Sequence, residues 1–169
     1  MKSFLKKFFL ILLTIFIVIQ FFRPAKNTAL AQSVNDITTK YKVPDSVKNI
    51  LKVACNDCHT NNTEYPWYSK IQPVAWYLAN HVNDGKKHLN FSEFASYKIG
   101  KQYRKLEEIS HEIEDGEMPM TSYTLIHGDA KLNDVQKNTI YNWVNELRDS
   151  IKANYPADSL VKKIQPKNN

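Results

Sequence analysis

Residues 44–59, PDSVKNILKVACNDCH, decide how the rest of the chain is read. Pro44-Asp45-Ser46 opens a helix, with Asp45 or Ser46 as N-cap. Val47, Ile50, Leu51 and Ala54 then fall at i, i+3, i+4 and i+7, the spacing of one apolar helical face. That face delivers Cys55-Asn56-Asp57-Cys58-His59 at the end of the helix. Further along, Pro73 suits a first helical position, and Val74, Tyr77, Leu78, His81 and Val82 carry helical spacing to a turn at Asn83-Asp84-Gly85. Asn90 to Glu93 has the spacing of a capping box before a helix running to about Asp115, with an interruption expected at Gly100. Asn133 and Gln136 repeat the cap spacing ahead of Ile140, Trp143, Val144, Leu147 and Ile151. No alternating strand of useful length and no repeat occurs. The body is expected to be all-α.

The chemistry lies in Cys55-x-x-Cys58-His59. Two thiols three residues apart can add across two vinyl groups as thioethers. A histidine directly after the second thiol then presents an imidazole nitrogen to the iron beneath. A bare C-x-x-C is also compatible with a disulfide, a redox dithiol or half a zinc site. Only five of the 169 residues are histidines, so requiring one at this position narrows the motif about thirtyfold. A redox dithiol wants a helix N-terminus to lower its first pKa, whereas here the pair ends a helix. Zinc wants more ligands at suitable spacing, and the chain has only two cysteines. The motif is therefore read as covalent attachment of one haem c.

With CNDCHTNNTEYPWYS (55–69), IQPVAWYLANHV (71–82), GKKHLNFSEF (85–94), GEMPM (116–120) and SYTLIHGDAKL (122–132), the chain resembles the haem-binding domain family of exported bacterial cytochrome c-like proteins over about residues 30–150. The resemblance implies a small helical cytochrome c-like domain behind an N-terminal membrane helix. It also implies Cys55 and Cys58 as attachment points and His59 as proximal ligand. It implies little about a physiological substrate.

For the sixth iron position, Met118 precedes Pro119 and resembles the distal loop of small cytochromes c. Proline stiffens the backbone beside the ligand, and a soft thioether favours Fe(II), raising the potential relative to a second imidazole. The bland alternative is a methionine filling the core; Met120 competes but lacks the following proline. His81 is read as a satisfied core histidine with a secondary claim on the iron, and a bis-histidine site would leave Met118 unligated. His88 and His111 are expected in solvent, and His127 as a hydrogen-bonding loop residue. Tyr65, Trp67, Trp76, His81 and Tyr123 are candidates to line the pocket. Tyr68, Tyr77 and Trp143 are read either as part of that lining or as ordinary core. The acidic run Glu107, Glu108, Glu112, Glu114, Asp115 and Glu117 is a solvated helix face or a docking surface for a basic redox partner.

The formal charge of +6 invites a nucleic-acid reading that its distribution refutes. Lys2, Lys6, Lys7, Arg23 and Lys26 flank one apolar run, so the body from Gln32 onward has 18 basic residues against 17 acidic. No nucleic-acid partner is expected. The run Phe8–Phe22, FFLILLTIFIVIQFF, is read as an N-terminal transmembrane signal-anchor, with a cleavable signal ending at Ala29-Leu30-Ala31 as the alternative. Fifteen helical residues span only about 22 Å, so Phe4 and Leu5 must extend the run while Lys6 and Lys7 snorkel. The expected organisation is a membrane segment and linker over 1–31, a haem domain over 32–151 and a flexible tail over 152–169, with residues 23–43 read as linker. The chain is expected to be held at the membrane with its haem domain on the periplasmic side, or secreted if cleaved. As a non-enzyme it would cycle Fe(III)/Fe(II) with His/Met ligation in exchange with an unknown redox partner protein. The alternative is a peroxidase or gas or redox sensor with an open distal position.

Overall fold

The computed structural model describes residues 2–161. It contains α1 (Lys2–Ile19), α2 (Ile37–Lys40), α3 (Asp45–Ala54), α4 (Asn56–His59), α5 (Val74–His88), α6 (Ile99–Glu114), α7 (Thr121–Thr124), α8 (Asp134–Asn154) and α9 (Ala157–Leu160). Short 3₁₀ turns cover Trp67–Lys70, Phe91–Ser96 and Gly128–Ala130. Among the described residues there is no β-strand, only an isolated bridge between Thr28 and Asn62. The all-α expectation holds.

One core is built where α3 and α6 meet α8. Val47, Ile50 and Leu51 come from α3, Leu106 and Ile113 from α6, and Ile140, Val144, Leu147 and Ile151 from α8. Each such side chain contributes about 1.5–3 kcal/mol when fully buried. The α8 capping box forms as its spacing predicts: Asn133 Oδ1 accepts from Gln136 N–H (2.9 Å) and Gln136 Oε1 from Asn133 N–H (3.0 Å).

The helix expected from Asn90 breaks in two. The Asn90 side chain accepts from Ser92 N–H, not from Glu93, and Glu93 reaches Asn35 and Asn61 instead. Phe91 and Phe94, three apart, are both buried, which suits a 3₁₀ turn whose i and i+3 side chains eclipse. Buried Gln102 seals the break, donating through Nε2 to the Ala95 and Tyr97 carbonyls. Helix α6 then begins at Ile99, so Gly100 lies in its first turn and interrupts nothing.

Three expectations about the ends of the chain need correction. Helix α1 has only 18 residues and includes Lys2, Lys6 and Lys7; at 1.5 Å per residue it is about 27 Å long. Among the described residues no helix is long and apolar enough to cross a membrane, so the transmembrane reading of α1 is not carried. Residues 23–43 are not a free linker: Ile37 and Val43 are core residues, and Asp36 caps α2 by accepting from Thr38 N–H. These elements are too short to show a period. The tail is also partly built, because α8 continues to Asn154 and Leu160 of α9 is buried in the core cluster. Positions 162–169 lie outside the described residues.

Candidate haem-binding site

The Cys55-x-x-Cys58-His59 motif is presented by a bend. Cys55 closes α3, its N–H donating to Leu51 O (2.9 Å), and its own carbonyl accepts from Cys58 N–H (3.2 Å) and His59 N–H (3.0 Å) to start α4. One turn of new helix therefore brings Cys55, Cys58 and His59 together in the lining of a single cavity of about 370 Å³. Both cysteines are free thiols. Burial, with Cys58 nearby, pushes the Cys55 thiol up to about 12; burial and the Asp57 carboxylate push Cys58 up to about 11. Thiols held protonated at neutral pH are poor redox nucleophiles.

Helix α5 fixes the imidazole. It runs through the turn expected at 83–85, because Gly85 is where α5 and α4 touch: a Cβ there would lie 2.6 Å from Cys58 O and 3.1 Å from Cys58 Cβ. Close approach puts His59 Nδ1 at 3.1 Å from Gly85 O and 3.0 Å from Leu89 O. Carbonyl oxygens only accept, so Nδ1 carries the proton and Nε2 keeps its lone pair. Burial lowers the His59 pKa against the opposing pull of the Leu89 and Gly85 carbonyls, which favours the neutral ring. Phe91 packs edge-on against it, with centroids 6.4 Å apart.

Met118 lines the same cavity from the far end of α6. Gly116 adopts a left-handed φ of 76°, a conformation glycine tolerates at a helix end. The chain then folds back so that Met118 N–H donates to Glu112 O (2.9 Å). Pro119 and Met120 follow it into the lining, and Leu89, Phe91, Ile109, Ile113 and Leu132 give that lining its apolar surface.

The other candidates divide. Tyr123 lines the cavity and donates its hydroxyl to Asp57 Oδ2 (2.9 Å), tying α7 to the turn that carries Cys58 and His59. Burial first, and Asp57 second, raise its pKa. His81 also lines the cavity, half-buried, with Nδ1 2.8 Å from Tyr77 O and its ring 4.1 Å from the Tyr77 ring. Tyr65, Trp67 and Trp76 are not in the lining, which corrects the sequence reading. The Tyr65 hydroxyl accepts from Asn27 N–H, Trp67 is 74% exposed, and Trp76 Nε1 donates to Phe22 O. The partners of Tyr65 and Trp76 lie in the N-terminal segment, which no periodicity reveals. His111 is exposed as expected. His88 is exposed too, but at the cavity rim. His127 makes the expected loop bond, with Nε2 2.5 Å from Tyr68 Oη, and stacks on Tyr123. Glu107 pairs with Arg148 and Glu108 with Lys105, leaving Glu112, Glu114, Asp115 and Glu117 exposed. The residues missed from sequence are Gly85 and Leu89, which act through backbone; a glycine inside a helical pattern was the available signal.

The donor set fits haem: two protonated thiols, an imidazole with Nε2 free and a thioether around an apolar slot of ligand-binding size. It fits a bare metal poorly, since among the described residues no cluster of three His, Cys, Asp or Glu side chains could hold an ion. A family model described as "Haem-binding domain" matches residues 14–146. No curated protein and no solved structure matches the chain.

Proposed function

The chain belongs to the haem-binding domain family, and we propose that it is an exported, membrane-tethered c-type haem protein that carries electrons with His59 and Met118 as axial ligands. The observation that carries this reading is the convergence of Cys55, Cys58, His59 and Met118 on one cavity, with His59 Nδ1 tied to two carbonyls. Cys55 and Cys58 would each form a thioether, sulfur bonding one vinyl carbon and the thiol hydrogen passing to the other. The bound iron would supply one-electron exchange between Fe(III) and Fe(II). His59 orients its ring through Nδ1, and hydrogen bonding there makes Nε2 a stronger donor. Met118 is held by the Glu112 carbonyl and Gly116 turn, Tyr123 ties α7 to Asp57, and the apolar lining limits water. Helix α1, whose apolar side chains are exposed, would supply the tether by embedding in a bilayer surface and not by spanning it.

The test is mass spectrometry and denaturing electrophoresis of the protein from a host competent in cytochrome maturation. A covalent porphyrin adduct is expected, lost in Cys55→Ser/Cys58→Ser; denatured polypeptide free of pigment and iron would overturn the reading. Met118→Ala should remove the sulfur-to-iron charge-transfer band and lower the potential while covalent haem survives. His81 shares the cavity, so a bis-histidine site is the second reading; there His81→Ala, not Met118→Ala, alters spectrum and potential. Prompt carbon monoxide binding by reduced wild type would favour an open-site enzyme or sensor.

A further inference from the structure

Residues 20–28 do not merely follow α1; they bolt it to the haem body at two places. The first joins the end of α1 to the start of α5. Gln72 N–H donates to Gln20 Oε1 (2.9 Å), Gln20 Nε2 donates back to Gln72 O (3.3 Å), and Gln72 Nε2 and Trp76 Nε1 both donate to Phe22 O (2.8 Å each). Gln72 is 1% exposed, so these polar atoms would be costly to leave unpaired. The second is Asn27, whose every polar group is used. Its N–H donates to Tyr65 Oη and its carbonyl accepts from Thr63 N–H. Its Nδ2 donates to Thr60 O and Thr63 Oγ1, and its Oδ1 accepts from Lys86 Nζ. Both bolts precede Ala31, so removal of residues 1–31 would take them away.

The body beside the first bolt is unusually apolar. Phe22 is exposed, as are Ile71 and Val74 next to Gln72, and Trp67 one 3₁₀ turn earlier. Tyr77 extends this surface to α7 by donating its hydroxyl to Ser122 Oγ (3.1 Å), and Leu125 and Ile126 directly after α7 are 81% and 64% exposed. Single exposed apolar residues are ordinary, but a patch joined through Gln20 and Phe22 to a largely exposed apolar helix is not. Tryptophan and tyrosine favour the headgroup level of a bilayer, and the exposed Arg23 and Lys70, chain neighbours of Phe22 and Ile71, with exposed Lys26, supply positive charge for anionic lipid.

We propose that this patch, formed by Phe22, Trp67, Ile71, Val74, Leu125 and Ile126, lies on an anionic lipid surface. The bolted segment would hold the haem body in one orientation there, not swinging on a leash. The proposal rests on the tethering reading above and deepens it. Because α7 also carries Tyr123 of the cavity lining, the α7 side of the haem site would sit close to the membrane plane.

The test is photo-crosslinking of the full haem-loaded chain in phosphatidylcholine/phosphatidylglycerol vesicles containing a diazirine-bearing phospholipid, with labelled peptides mapped by mass spectrometry. Label is expected in 2–22 and also in 67–77 and 121–127, about tenfold above the level in α8. Label confined to 2–22 leaves the tether intact but gives the patch to some other occupant, overturning the proposal. Label nowhere, or a mature N-terminus at Gln32, overturns the tether as well. Asn27→Ala/Gln72→Ala, checked for an unchanged haem spectrum, should retain label in 2–22 and lose most of it from 67–77 and 121–127. Undiminished label there would refute the bolting.

Discussion

Gly85→Ala is the sharpest probe of how the two halves of the site are joined. On helix propensity alone the change stabilises by about 1 kcal/mol, since Gly85 lies within α5. The structure predicts the opposite sign. The new methyl would stand 2.6 Å from Cys58 O, well inside van der Waals contact, so α5 and α4 must part by roughly half an ångström or more. Overpacking of this kind costs about 1–3 kcal/mol. The same movement stretches the contacts of His59 Nδ1 to Gly85 O and Leu89 O from 3.1 and 3.0 Å toward the limit of a hydrogen bond, and each is worth about 0.5–1.5 kcal/mol. The net expectation is a loss of about 2 kcal/mol, read as a urea midpoint lowered by about 1 M, together with a shifted reduction potential as the imidazole loses its acceptors. Gly128→Ala, where an added Cβ meets nothing within 4 Å, is the control and should change stability by less than about 0.5 kcal/mol. A Gly85→Ala protein as stable as wild type, with unchanged potential, would refute the close-approach argument.

Leu106→Ala, at the fully buried contact of α6 with the core, should cost about 2–5 kcal/mol in denaturant titration, and less than 1 kcal/mol would mean the core is looser than described. Burial, reinforced by Tyr155, pushes the Tyr41 phenol up to about 12, and its hydroxyl donates to Gln102 Oε1. Its stabilising contribution should be intact below about pH 10 and lost as pH rises toward about 12, with a late ultraviolet phenolate transition that disappears in Tyr41→Phe. Exposed Glu112, Glu114, Asp115 and Glu117 surround the Met118 turn, so reduction by a cationic small-molecule reductant should slow as ionic strength rises from about 0.01 to 0.15 M and the screening length falls from about 30 to 8 Å. Glu114→Lys/Glu117→Lys should flatten that dependence; a flat wild-type profile would make the run merely solvated.

What could be read from sequence was what has a period or a fixed spacing. The inner faces of α3 and α8 and the Asn133/Gln136 box follow from local side-chain order, and so does the grouping of Cys55, Cys58 and His59. What could not be read depends on backbone atoms and on partners far along the chain. Gly85 looked like the end of a helix because its role, making room for Cys58, belongs to a contact 27 positions away. Residues 23–43 looked like a linker because Asn27 and Ile37 act singly, one through hydrogen bonds and the other through a one-turn helix. Trp67 and Trp76 looked like cofactor-lining aromatics by abundance, yet one faces outward and the other answers Phe22. Composition counts aromatic rings without saying what they face.

The acceptors that hold the His59 ring are peptide carbonyls, not side chains. Exchanging Leu89 for another amino acid would leave its carbonyl in place, so the electronic character of the imidazole is insulated from most drift at that position. Only changes that bend or fray the last turn of α5 can reach it, which makes the path of the main chain the effective tuning dial.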